Sequence, residues 1–229
     1  MKVSFCIYFF VLGIFLSVCY SFQKVASKDI KPKGFEHLVD VQLINPSIQI
    51  DLKYATKDNF MRKQLYFNID RVYLQPDVAL RLSKCQNLLK KINPNYNLLV
   101  YDGVRPLSVQ KTMWDALDTI PPVQRGKFVS NPKNGSVHNY GAAVDLTICD
   151  KNKVPLDMGA GYDDIREIAY PSKEEYYLKK GLLTHYQVKN RKLLRKVMES
   201  QNFKNIPSEW WHFNACSRKE AKLKYKIIE

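Results

Sequence analysis

An α+β fold is the class this sequence predicts: one domain, with a small antiparallel or mixed sheet flanked by helices. Three observations point to it. Short stretches with strand-like alternation are interspersed with helix-like stretches, without the regular βαβ rhythm of a parallel sheet. From residue 35 onward no repeat, low-complexity tract or domain-scale linker interrupts the chain. The chain has 229 residues, 45% apolar and 25% charged, which suits one globular domain with a continuous core.

The elements follow in order. Ile48, Ile50 and Leu52 alternate with polar neighbours and predict a half-buried strand running towards Tyr54. Val78, Leu82, Cys85, Leu89 and Ile92 recur at helical spacing, and Pro94 ends that helix. Asn97 to Tyr101 is a short apolar strand, with a turn signal at Asp102-Gly103 and a helix from Pro106 to Leu117. A polar loop from Ser130 to Tyr140 precedes a strand over Ala142 to Ile148. Helices are expected near Lys173 to Lys180 and Asn190 to Asn202. Trp210, Trp211 and Phe213 suit a pleated surface and predict a further strand. Ser217 and Glu220 form a capping box that opens a last short helix.

The N-terminus reads differently. Lys2, an apolar run from Val3 to Val18, and an abrupt polar switch are the pattern of a secretory signal peptide, residues 1–21. The run is short for a membrane span, and Val18 is a poor neighbour for a lipidated Cys19. A basic linker, residues 22–34, would join this signal to the domain, residues 35–229. The expectation is an exported protein, periplasmic or in the cell envelope, with no stable membrane span once the signal is removed. Of five cysteines, a mature chain would keep Cys85, Cys149 and Cys216, an odd set without C-x-x-C pairing, which excludes a disulfide-stapled scaffold. The formal charge of +14 is spread along the chain, and no nucleic-acid motif accompanies it. Its densest stretch, Lys189 to Lys196, reads as one amphipathic helix with a solvated basic face.

Four histidines are present, and two have carboxylates close by in sequence: His138 with Asp145, and His212 with Glu209. Two imidazoles and one carboxylate are a common ligand set for a catalytic zinc, leaving a fourth position for water. Any single histidine also reads as a satisfied polar residue; the joint pattern is what favours a metal. Gly141, Ala142 and Ala143 would let the backbone pack closely between His138 and Asp145. Glu209 could take a proton from a metal-bound water. It also reads as a surface glutamate, although Trp210-Trp211 argues for a sheltered setting. Arg105 could aim its fork into a pocket or lie on the surface, and spacing alone does not choose between these.

The blocks Asp102-Gly103-Val104-Arg105-Pro106, Ser136 to Asp145 and Glu209-Trp210-Trp211-His212, in that order, resemble the D-alanyl-D-alanine dipeptidase family of zinc peptidases. Asp51 to Thr56 with Asp58-Asn59-Phe60, and Met158-Gly159 with Tyr162-Asp163, extend the similarity from about Val41 to Phe213. The histidine block alone would indicate only the wider group of zinc D,D-peptidases and murein hydrolases. The resemblance implies a zinc D,D-peptidase-like fold and one zinc ion on His138, Asp145 and His212. It implies Glu209 as general base and Arg105 as stabiliser of the tetrahedral intermediate. Tyr54, Ser136 and Asp163 would lie near the substrate, with Asp163 receiving its ammonium group; by residue type alone, Asp163 also reads as a turn aspartate and Tyr54 as a plain strand aromatic. The implied partner is a small D,D-dipeptide, with peptidoglycan fragments as further candidates in an exported setting. Two alternatives stand beside this: a murein D,D-carboxypeptidase acting on longer stem peptides, and an inactive wall-binding domain. Nucleic acid is not an expected partner.

Overall fold

The structure, a computed structural model, describes residues 31–126 and 128–229. The expected signal peptide, with Cys6 and Cys19, and most of the linker lie outside the described residues. Lys31–Glu229 form one compact unit. No helix among the described residues is long and apolar enough to cross a membrane.

The chain opens with β1 (Val39–Asp40), α1 (Val41–Ile44) and β2 (Gln49–Ile50), then β3 (Tyr73–Leu74) and α2 (Pro76–Ile92). β4 (Asn97–Asp102), α3 (Leu107–Asp115), α4 (Pro122–Arg125) and β5 (Ala143–Cys149) follow. α5 (Glu174–Lys179), α6 (His185–Glu199), β6 (Lys204–Ile206), β7 (Glu209–Asn214) and α7 (Arg218–Lys224) complete it. β1 and β3 form a small antiparallel ribbon, and the main sheet has the order β2-β4-β5-β7-β6. Only β2–β4 is parallel, so the sheet is mixed and the class is α+β, as expected.

β4 and β5 are buried along their whole length, as central strands covered on both faces must be. α2 packs on β4 and against α6. Pro76 sits in its first turn, where the missing N–H costs nothing, and Val78, Leu82, Cys85 and Leu89 face the core. Gln86 ties this helix to the sheet: its Oε1 accepts from Leu98 N at 2.7 Å, and its Nε2 donates to Asn97 Oδ1 at 3.2 Å. Ile92, expected in the core, is 44% exposed because it lies in the fraying last turn. Burial pushes the Cys85 thiol up to about 12 and Cys149 to about 11, so both are inert.

Several expectations need correcting. The first strand does not reach Tyr54: after two paired residues the chain tightens into a 3-10 turn, Lys53–Ala55, braced by Lys53 between Asp51 and Asp58 (2.8 and 2.6 Å). Asp102-Gly103 is not a turn. The chain runs on extended past β3, and Gly103 is required because a Cβ there would lie 2.8 Å from Val72. The polar loop ends in a 3-10 turn, Val137–Tyr140. α6 starts five residues before the expected boundary, at a Thr184/Gln187 capping box, and ends before Asn202, whose φ of 59° stops the helix.

The basic face of α6 is only partly solvated. Lys189, Lys192 and Lys196 are exposed, but Arg191 is 1% exposed. Its Nε donates to Met158 O at 2.6 Å and its Nη2 to Ile168 O at 3.0 Å, so it clamps both ends of the loop carrying Tyr162 and Asp163. Asn190 donates to Asp157 O at 2.8 Å, adding a third tie to that loop. Arg191→Met leaves one buried and one partly buried carbonyl unpaired and should cost about 2–4 kcal/mol. Urea denaturation measures this, and an unchanged midpoint and slope would contradict the clamp.

Candidate metal and peptidase site

The site is assembled by strand register. In the β4–β5 pairing Asp102 lies opposite Asp145, and in the β5–β7 pairing Asp145 lies opposite His212. Three adjacent strands thus place these residues in one row. His138 arrives from the 3-10 turn just before β5, which Ser136 caps by accepting from His138 N at 3.4 Å while Asn139 Oδ1 accepts from Ser136 N at 2.6 Å. Gly141 ends the turn at φ 63°, and a Cβ there would meet Leu38 at 3.1 Å, so a side chain is excluded on both counts. Asn139 Nδ2 donates to Arg105 O at 2.7 Å and Arg105 N donates to His138 O at 3.1 Å, lacing the Arg105 segment to the histidine turn.

Three ligand-type atoms converge. His138 Nε2 is 3.1 Å from His212 Nδ1 and 3.3 Å from Asp145 Oδ1, which is 2.9 Å from His212 Nδ1. Ligand atoms around a tetrahedral zinc, each about 2.0–2.2 Å from it, lie roughly 3.3 Å from one another. The outer nitrogens decide the tautomers: His138 Nδ1 donates to Gly103 O at 2.7 Å and His212 Nε2 to Asn214 Oδ1 at 3.0 Å. Both inner nitrogens then present lone pairs beside a carboxylate, an arrangement that a divalent cation at its centre would satisfy. All three residues are buried, at 2%, 3% and 8% exposure for His138, Asp145 and His212. They are the one cluster of metal-ligating type among the described residues. Burial opposes charge on Asp145, yet when the histidines are protonated their charge and hydrogen bonds hold its carboxyl well below its ordinary range.

Around them lies a cavity of about 170 Å³, lined by every sequence-predicted site residue: Tyr54, Arg105, Ser136, His138, Asp145, Asp163, Glu209 and His212. Glu209 Oε2 is 3.9 Å from His212 Nδ1, beside the cluster and outside it. On a regular strand, residues three apart point to opposite faces. Here Ile206 pairs with Glu209 while Asn205 pairs with Phe213, so three residues of β7 lack a partner on β6. That bulge turns Glu209 towards the cavity, and Asn205 Nδ2 fills it by donating to Glu209 O and His212 O, both at 2.8 Å. Burial raises the Glu209 carboxyl above its ordinary value, which suits a proton acceptor.

Arg105 is buried and fully charged. Its Nε and Nη2 both donate to Asp102 Oδ2 at 3.0 and 2.7 Å, and its Nη1 donates to Gln110 Oε1 at 3.3 Å. Asp102 Oδ1 in turn accepts from Tyr66 at 2.7 Å and Gly103 N at 2.9 Å. Asp163, at φ 60°, accepts from the Tyr54 hydroxyl at 3.3 Å. Burial, and then the charge of Asp145, push Asp163 up to about 8, more than the nearby Arg105 charge offsets. The Tyr54 ring also lies 5.1 Å from the Arg105 guanidinium.

Sequence reasoning missed Asp102 as the anchor of Arg105, although an acid three residues before the arginine was the available signal. It also missed Asn139, Asn214, and the Tyr162 hydroxyl that donates to Asp145 Oδ2 at 3.1 Å. Nothing in single-residue patterns marks those three. His37 and His185 are exposed and stand outside the site.

A family model described as D-ala-D-ala dipeptidase matches residues 35–227. The D-alanyl-D-alanine dipeptidase of Escherichia coli K12 is 34% identical over 176 residues, covering 77% of this chain and 83% of that protein. The D-alanyl-D-alanine dipeptidase of Synechocystis is 30% identical over 172 residues, covering 62% of this chain and 68% of that protein. That of Enterococcus faecalis is 29% identical over 180 residues, covering 72% and 85%. The matched span covers most of the chain, and the chain belongs to the D-alanyl-D-alanine dipeptidase family of peptidases.

Proposed function

We propose that this protein hydrolyses D-alanyl-D-alanine to two D-alanines, using one zinc ion per chain held by His138 Nε2, Asp145 Oδ1 and His212 Nδ1. The observation that carries the reading is the set of three ligand atoms 2.9 to 3.3 Å apart, with an unligated carboxylate, Glu209, beside them. Zinc, when bound, supplies Lewis acidity and lowers the pKa of a coordinated water to about 7.

The chain's own groups do the rest. Glu209 takes the proton of the attacking water and returns it to the departing amine nitrogen, the one task for which a raised carboxyl pKa is an advantage. Arg105, fixed by Asp102, presents its remaining guanidinium N–H to the oxygen on which negative charge develops. Asp163 and Tyr54 receive the substrate ammonium, which gives the Asp163 carboxylate a direct cationic partner. Ser136 keeps its hydroxyl hydrogen free for the substrate while its oxygen caps the histidine turn. Phe60, Phe128 and Trp211 line the same cavity and give it an apolar wall.

A second reading has one observation in its favour. A smaller cavity adjoins the site, lined by Phe60, Phe128, Ile165, Tyr170 and Trp211 and sharing Asp163 and Glu209 with it. Residues preceding a D,D-dipeptide in a longer stem peptide would enter there, at the cost of leaving Asp163 unpaired. An N-terminal signal sequence supports export to the cell envelope, where wall-derived peptides are the available substrates.

Glu209→Gln should retain zinc and lose about 10²–10⁴-fold in kcat. Metal analysis beside a D-alanine release assay tests it, and wild-type turnover would remove Glu209 as the base. His212→Ala should purify without zinc under conditions where the wild type holds it; an equal zinc content would take His212 out of the ligand set. Asp163→Asn should raise KM for D-alanyl-D-alanine roughly 10–100-fold, the worth of one charged hydrogen bond. The same change should leave N-acetyl-D-alanyl-D-alanine nearly unaffected, and equal losses on both substrates would contradict an ammonium site.

A further inference from the structure

The two oxygens of Asp145 have different neighbours. Oδ1 faces the inner nitrogens of His212 and His138 at 2.9 and 3.3 Å. Oδ2 points away from them, accepts from the Tyr162 hydroxyl at 3.1 Å and lies 3.6 Å from Arg105 Nη2. Asp102 already holds Arg105 at 2.7 Å, so the tyrosine makes the shorter contact to Oδ2.

Tyr162 has little freedom to be elsewhere. Its ring packs against Tyr101 and Trp211, with centroids 4.9 and 5.5 Å away, and meets Tyr54 at 6.3 Å. The loop that carries it is clamped at Met158 and Ile168 by the buried Arg191. A hydroxyl held on three sides is a directional constraint on the carboxylate it touches.

We infer that Tyr162 is a positioning residue for the metal site, holding Asp145 by Oδ2 so that Oδ1 alone is presented to the ion. An unrestrained carboxylate can rotate and offer both oxygens, which blurs the ligand geometry and crowds the position a water must take. Groups that orient a metal ligand in this way are worth about 10–100-fold in metal affinity when removed. Because Tyr162 precedes Asp163 in the chain, the same loop that orients the metal ligand also sets the substrate carboxylate. The inference rests on the zinc reading above, and the test keeps the two apart.

The test is zinc affinity of the full chain, stripped of metal and titrated against a chromogenic chelator, for wild type, Tyr162→Phe and Tyr101→Phe. Tyr162→Phe keeps the ring and its packing, so the metal-free protein should melt at the wild-type temperature while its zinc affinity falls at least tenfold. Tyr101→Phe removes a hydroxyl from the same aromatic cluster and should leave affinity unchanged. Wild-type affinity in Tyr162→Phe overturns the inference and leaves the zinc reading intact. An equal loss in both variants also overturns it, since any hydroxyl of the cluster would then serve. A wild-type chain that binds no zinc removes the metal reading and the inference with it.

Discussion

The pairing of β5 with β7 is the constraint on which the rest of the site depends. It sets Asp145 opposite His212, and the neighbouring β4–β5 register sets Asp102 opposite Asp145. A slip of one residue in either pairing would send alternate side chains to the other face and scatter the row. The register is secured by burial, because Val144, Leu146 and Ile148 of β5 and Phe213 of β7 are all fully enclosed. Packing of apolar side chains therefore fixes where the polar row falls. The segment around His138 is then added by hydrogen bonds, with Asn139 bridging Arg105 on one side and Ile228 N on the other.

The electrostatics of the site follow from what that row brings together. Asp145, Asp163 and Glu209 bring three carboxyls to the cavity, with Asp102 behind Arg105; of the described cations that line it, Arg105 is buried and Arg218 is exposed. Arg105 is committed to Asp102, in a buried pair whose partner would be costly to remove. The remaining carboxyls are unbalanced in two separate places, beside the histidines and beside Tyr54. In the proposed function two cations of different kinds would answer this arrangement: a metal ion at the first and a substrate ammonium at the second. Glu209 lies between them, raised by burial and available to carry a proton.

Much of this was legible in the sequence because the informative residues are chemically rare. Four histidines leave few pairs to consider, and the blocks around Arg105, His138 and His212 resemble one family in order and type. The sheet strands were legible because β4 and β5 are short, buried and mostly apolar, with Leu98 to Tyr101 unbroken in β4 and only Asp145 and Thr147 polar in β5. Other features were not, for physical reasons that can be named. Glu209 and His212 are three apart, which in a regular strand separates them, and only the β7 bulge reconciles them. Arg191 looks like one more lysine-type surface charge until the loop it clamps is known. The 3-10 turn at Tyr54 is set by ion pairs of Lys53 with Asp51 and Asp58, contacts that periodicity cannot show.

How the site could tell a free dipeptide from a longer peptide turns on the desolvation of Asp163. An ionised carboxylate so enclosed is held at a cost, which is why its pKa rises to about 8. A free ammonium removes that cost directly, whereas an acylated nitrogen carries no charge and leaves the carboxylate unpaired. The penalty against a longer peptide is nevertheless bounded, since Asp163 can take up a proton and meet the acyl group as a neutral donor. Because a group with a pKa near 8 is easily protonated at neutral pH, that escape costs little there and more as the pH rises. On the proposed reading, selectivity for the free N-terminus would depend on the carboxylate's ionisation as much as on the cavity's shape, and it would fall away once the substrate's own amine, with an ordinary pKa of about 8, gives up its proton.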